Sequence, residues 1–164
     1  AAAENLPIER LQANLVELDC LTDHVADYCI CMYSTVGMIR GRENRQRVLE
    51  HARRILKPGG LLVVHVHNFW YNFWEPLSRG WFVRNVLRST FRRDVEAGDK
   101  FFDYRRIPNM FLHVFTRSEL TGALRQAGFR VRTLVPLDTG RQRQLSRPWL
   151  LSRFRANGWI AICE

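Results

Sequence analysis

A chain of 164 residues with 46% apolar residues and five tryptophans has one domain's length and enough material for a sizeable core, which excludes a disordered tail, a collagen-like chain or a disulfide-stapled miniprotein. No apolar run reaches the roughly 18–20 residues that a membrane span needs. The balance of 25 basic against 16 acidic residues leaves +9, with Arg at every basic position except Lys57 and Lys100, and that excess fits either an anionic partner or a solvated arginine-rich surface.

The opening Ala1-Ala2-Ala3-Glu4-Asn5 has no basic n-region, no apolar h-region and no initiator Met. No export signal is read there, and the chain is expected to begin within a longer protein. Cys20, Cys29, Cys31 and Cys163 form no CxxC pair. Free thiols in a reducing cytoplasm are the expectation, with no zinc site.

Residues 14–18 form a short alternating apolar run, read as a strand that stops at Asp19. Asp27 then leads into Tyr28-Cys29-Ile30-Cys31-Met32-Tyr33, an almost unbroken apolar run that predicts a strand covered on both faces. After Gly41 comes a helical pattern with Val48, Ala52, Ile55 and Leu56 on one face and arginines on the other. Pro58 cannot continue it, and Gly59-Gly60 make a turn into the buried strand Leu61–His67. Strand, helix and strand make a βαβ unit with parallel strands and a right-handed crossover.

Residues 69–112 are rich in Trp, Phe and Tyr and read as an inserted helical lid over the sheet's edge. Within them, Phe82, Val86 and Leu87 share an apolar helical face with Val83 and Phe91 beside it, while Arg84, Arg88 and Arg92 recur every four residues. Thr116 and Glu119 then form a capping box opening a helix with Leu120, Ala123, Leu124 and Ala127 inward, closed by Gly128. Residues 129–135 and 159–163 supply two more strands of an α/β sheet.

Three of these segments, in order, resemble the class I S-adenosylmethionine-dependent methyltransferases. Leu18-Asp19-Cys20-Leu21, Asp23 and Asp27 leading into Tyr28–Met32 look like that family's third and fourth strand motifs. Leu56-Lys57-Pro58-Gly59-Gly60 with Leu61–Val66 resembles the turn before its fifth strand. Phe115-Thr116, Glu119-Leu120, Leu124 and Ala127-Gly128-Phe129 resemble the phrase before its sixth. The resemblance implies a single partial domain over 1–164. Its fold would be a Rossmann-like, mostly parallel α/β sheet, truncated at the N-terminus, with the helical lid inserted. The Gly-rich cofactor loop after the family's first strand and the acid ending its second have no counterpart here. This stretch alone is therefore expected to bind the cofactor poorly and to be inactive by itself.

The resemblance also assigns residues toward S-adenosyl-L-methionine. Asp19 would accept a hydrogen bond from the adenine amino group, with the Cys20 backbone facing the ring. Met32, Tyr33 and Ser34, at the carboxyl end of a strand, would lie beside the sulfonium. Asp27 reads as structural. His65 and His67 share a strand face, without a third ligand at metal-binding spacing. His67 is the candidate base for methyl transfer, Asn68 and His113 would line the acceptor pocket, and the acceptor is a small molecule, protein or RNA. Two alternatives remain open: a basic α/β module that grips RNA through Arg84, Arg88 and Arg92 without catalysis, and a methyltransferase-like scaffold that has lost its cofactor loop.

Overall fold

The computed structural model describes residues 8–92, 96–104 and 106–164. The opening segment and residues 93–95 and 105 of the insert lie outside the described residues.

The βαβ unit forms as its sequence pattern requires. Strand β1 (Ala26–Cys31) runs parallel to β2 (Leu56–His67), joined by helix α1 (Arg42–Ile55). Val48, Leu49 and Ala52 of α1 are buried. The helix places Glu43 in its first turn and Arg53 and Arg54 in its last, each matching the helix dipole. No separate turn precedes β2. Register steps from Ala26–Leu56 to Tyr28–Leu61, so residues 57–60 loop out of the ladder where Pro58 has no N–H to give and Gly59 takes φ +80°.

Two expectations about the N-terminal half fail. Residues 14–18 are not a strand: Glu17 N–H donates back to Asn14 O, and the His51 ring contacts Leu18 N and Val16 O. Their backbone groups find local and side-chain partners, while Leu15 and Val16 rest on the core. Strand β1 is covered on one face only. Cys29 and Cys31 pack inward, whereas Tyr28 and Ile30 are each 69% exposed because no described element lies over them.

The second half completes the sheet. Helix α4 (Arg117–Gln126) opens on the capping box, with Glu119 N–H donating to Thr116 Oγ1 at 3.1 Å and the Glu119 carboxylate accepting from Thr116 N. Strands β5 (Val131–Leu137) and β6 (Gly158–Cys163) follow, and the sheet order is β1-β2-β6-β5. Strand β6 is antiparallel to both neighbours, so the described sheet is mixed. Leu62, Val64 and Val66 of β2 share the core with Trp159, Ala161, Leu120 and Leu124, leaving the opposite face of β2 to Val63, His65 and His67.

The insert is less helical than its composition implies. Helices α2 (Tyr71–Trp74) and α3 (Pro76–Phe91) precede an antiparallel hairpin of β3 (Asp99–Tyr104) and β4 (Ile107–His113). Helix α3 buries Ser78, Phe82 and Asn85, while Val83, Val86, Leu87 and Phe91 face solvent. A second apolar cluster of Phe69, Phe82, Leu112 and Val114 joins helix and hairpin.

A buried ionic network ties that hairpin to the core. His113 is fully buried, with Nδ1 at 2.7 Å from Asp99 Oδ1 and Nε2 at 2.7 Å from Glu119 Oε1. Both ring nitrogens can donate only when the imidazole is protonated. Burial lowers its pKa, but the hydrogen bonds to Asp99 and Glu119 and the charge of Glu119 outweigh burial and raise it overall. Beside it, buried Arg45 donates to Glu96 Oε2 at 2.5 Å and Ile39 O at 3.3 Å. Among the described residues Glu96, His113 and Glu119 stand at metal-ligand spacing, and these partners already occupy them.

Two outcomes follow from this framework. Thr116→Ala removes the cap's acceptor and should cost about 1 kcal/mol of unfolding free energy in urea titration. The raised His113 pKa contributes stability that is complete below the ordinary value of 6.5 and lost as pH rises through the folded-state value. The denaturation midpoint should therefore fall with rising pH across that window, and His113→Gln should flatten the fall.

Candidate functional site

The carboxyl ends of β1 and β2 open into a cleft of about 930 Å³. Met32 and Tyr33 form one wall, His65, His67 and Ile160 the floor, and the hairpin covers the third side with Lys100 and Phe102. The loop after β5 brings Arg141 to the fourth. Thus the hairpin, rather than α2 or α3, is the part of the insert that roofs the site.

The strand end is built under strain. Tyr33 and Ser34 both take left-handed backbone, with φ 56° and 60°, before a short 3-10 turn over Thr35–Met38. Consecutive non-glycine residues in that region are costly and concentrate at functional sites. The reversal turns Ser34 inward, where its hydroxyl accepts from His67 N–H at 3.3 Å, and leaves Tyr33 83% exposed at the cleft. Gly37 allows this turn to pass against β4, since a Cβ there would sit 2.6 Å from His113 O.

His65 and His67 stand edge to face, ring centroids 5.5 Å apart. His65 is buried, and burial followed by the Arg141 charge lowers its pKa. Arg141 Nη1 lies 2.9 Å from His67 Nε2 and 3.2 Å from Nδ1, so the neutral ring accepts its N–H. Burial first, then the charges of Arg141, His65 and Lys100, push the His67 pKa down to about 3. Lys100 Nζ donates to Ser78 Oγ at 2.7 Å and Asn72 Oδ1 at 3.2 Å, and lies over the Trp81 ring at 5.3 Å. Its pKa is lowered, chiefly by burial.

The structure brings together Met32, Tyr33, Ser34 and His67 and leaves the other sequence-derived site residues elsewhere. Asp19 and Cys20 are exposed in a turn held by Arg54, whose Nη2 donates to Leu18 O at 2.7 Å and Nη1 to Leu21 O at 2.6 Å. Asn68 does not line the pocket. Its amide donates to Ala156 O at 2.7 Å and Arg153 O at 2.8 Å, satisfying carbonyls that precede β6. His113 does not face the pocket either, because both ring nitrogens are committed to Asp99 and Glu119. Arg84 and Arg88 on α3, and Arg92 just beyond its end, are exposed away from the cleft lining. Sequence reasoning did not place Lys100 or Arg141 in the cleft. Lys100 carried a signal, as one of only two lysines in the chain, whereas nothing local distinguished Arg141 from its neighbours.

Comparison with known proteins identifies the fold and the family. A family model described as a methyltransferase domain matches residues 9–134. An S-adenosylmethionine-dependent methyltransferase from Methanosarcina mazei is similar at TM-score 0.68 and 18% identity, over 92% of this chain and 64% of that one. A second, from Clostridium acetobutylicum, aligns at TM-score 0.61 and 7% identity over 99% of this chain and 67% of its own. The 1,6-didemethyltoxoflavin-N1-methyltransferase of Burkholderia thailandensis, solved with 1,6-didemethyltoxoflavin and S-adenosylhomocysteine bound, aligns at TM-score 0.54 and 12% identity over 92% of this chain and 48% of that one. No curated protein sequence matches. The chain thus spans about two thirds or less of these structures' lengths. With the family model covering more than half the chain and the fold shared with these structures, the chain belongs to the class I S-adenosylmethionine-dependent methyltransferase family.

Proposed function

We propose that this chain forms the acceptor side of an S-adenosylmethionine-dependent methyl transfer site. The observation that carries the reading is the cleft at the carboxyl ends of β1 and β2, where the strained Tyr33–Ser34 turn meets a neutral His67. In open α/β sheets ligands bind at that edge. The cleft has the size of a small-molecule site, and exposed Tyr33 beside half-buried Met32 leaves their wall free to receive the cofactor's sulfonium end.

When bound, the cofactor supplies an electrophilic methyl group on sulfur. The acceptor's nucleophilic atom gains the carbon as the sulfur–carbon bond breaks, and the acceptor gives up a proton. The protein's part is to hold that atom in line, which is the dominant means of accelerating such a displacement. Once Arg141 turns from the ring to the substrate, the acceptor nitrogen of His67 is free to accept a hydrogen bond from the methyl acceptor's O–H or N–H. Its low pKa makes orientation, rather than retention of the proton, its main role in the site as built. Ser34 supports it by fixing the backbone at His67 N. Asp19 and Cys20 stay proposals for the adenine end, resting on the motif alone.

In the full-length protein, His67→Ala should slow methyl transfer by about 10²-fold through lost alignment while S-adenosylhomocysteine affinity holds within about twofold. Asp19→Ala should do the reverse and cost about 1–3 kcal/mol of that affinity. Calorimetry with S-adenosylhomocysteine on both variants checks the division, and loss of affinity in His67→Ala alone overturns it.

A polyanion contact is the second reading, carried by the exposure of Arg84, Arg88 and Arg92 on a stretch, residues 76–92, without an acidic residue. RNA retention should then fall steeply with salt and with the paired change Arg84→Ala and Arg88→Ala. No retention at low salt discards it.

A further inference from the structure

Several cations near the core are matched with acids: Arg45 has Glu96, Arg54 has Asp23, and His113 has both Asp99 and Glu119. The cations of the cleft are not matched in this way. Lys100 is half-buried there with only the neutral Ser78 and Asn72 as hydrogen-bond partners. Glu75 acts on it through its charge, without an ion pair between the two among the described residues. Arg141 sits at the mouth on left-handed backbone, φ 55°, and turns its guanidinium onto a histidine ring. The one carboxylate close to it in sequence, Asp138, is engaged by the backbone N–H groups of Gln142 and Arg143. No acidic residue lines the cleft among the described residues. A half-buried ammonium and a guanidinium in one cleft with no acid on its walls leave its charge poorly balanced, and a bound anion relieves it.

Most of the remaining lining is apolar, with Tyr33, Tyr104, Gln142 and the two histidines as its polar side chains. Phe102, Met110, Leu112, Leu137 and Ile160 present no charged atom. We propose that the cleft selects a methyl acceptor with an apolar or aromatic body and one carboxylate, which docks on Arg141 and Lys100. This rests on reading the cleft as the acceptor site. A bidentate guanidinium contact at the mouth would set the carboxylate's orientation, the apolar lining would hold the body, and the reacting atom would reach His67. Binding also feeds back on His67. Burial is the main cause of its low pKa, and the charges of Arg141 and Lys100 add to it. A docked carboxylate offsets those two charges, so the ring becomes a better proton acceptor only once the acceptor is in place.

The test uses 3-phenylpropionate and its uncharged amide as probes, with calorimetry for affinity and imidazole NMR for the His67 ring. The acid should bind at least about 10-fold tighter than the amide, as a charge-assisted hydrogen bond implies. Arg141→Gln should erase that preference and Arg141→Lys should keep part of it. Because Arg141 lies on an exposed loop, these variants spare the core. The His67 pKa should rise with the acid and stay put with the amide. Equal binding of acid and amide, or an unchanged preference in Arg141→Gln, overturns the proposal. S-adenosylhomocysteine separates the two possible sources of a carboxylate. Simultaneous binding with the acid supports an acceptor subsite, whereas mutual exclusion assigns the cations to the cofactor's own carboxylate and overturns it. Acid binding through Arg141 without any S-adenosylhomocysteine binding counts against methyl transfer and leaves the anion site standing.

Discussion

The charged bridge through His113 ties the hairpin of β3 and β4 to the capped start of α4. The ring sits at the end of β4, receives Asp99 from the start of β3, and reaches Glu119 in the first turn of α4. Glu119 thereby does two things at once, closing the capping box on Thr116 and anchoring the insert. Arg45 and Glu96 extend the network to α1. Such a cluster is stable only when fully satisfied, because any member left unpaired bears the whole cost of burial. Close packing enforces it: Gly98 passes so near Val114 O and the His113 ring that a side chain there would displace one of them.

The position of the cleft follows from that attachment. With Asp99 fixed, the next residue of β3, Lys100, pairs with Leu112 and reaches under the hairpin toward Ser78 and Asn72. Phe102 then meets Met110 across the ladder on the same side of the hairpin. The hairpin consequently presents one cation and an apolar face to the floor formed by His65, His67 and Ile160. On the far side, Asn68 ties the end of β2 to the carbonyls before β6, which keeps the neighbouring backbone of His67 in register. Structural polar groups surround the site so that the polar groups inside it stay neutral or cationic.

The motif carriers and the reactive groups are largely different residues. The Pro-Gly-Gly segment and the Thr116–Glu119 box build strands and caps that the family shares, and neither lines the cleft. The two cations facing the cleft, Lys100 and Arg141, come from the insert and the loop after β5, outside the four-stranded sheet, whereas His65 and His67 stand on β2 itself. The charge of the cleft is thus set by segments that the sheet does not constrain.

The sequence by itself determined the βαβ unit, the capped α4 and the α/β class, because periodicity, proline, glycine and capping residues act over a few neighbouring positions. It also located His67 at a strand end, since alternation along Leu61–His67 is local information. Tertiary structure alone decided the rest. An apolar run such as Tyr28–Cys31 says that burial is favourable, but only the surrounding elements decide which face is covered, and Tyr28 and Ile30 are left exposed. His113 looked like a pocket residue until Asp99 and Glu119 were brought to its two nitrogens. Lys100 and Arg141 became a pair only when the hairpin and the β5 loop met at His67, because a charge's role depends on which charges fold beside it.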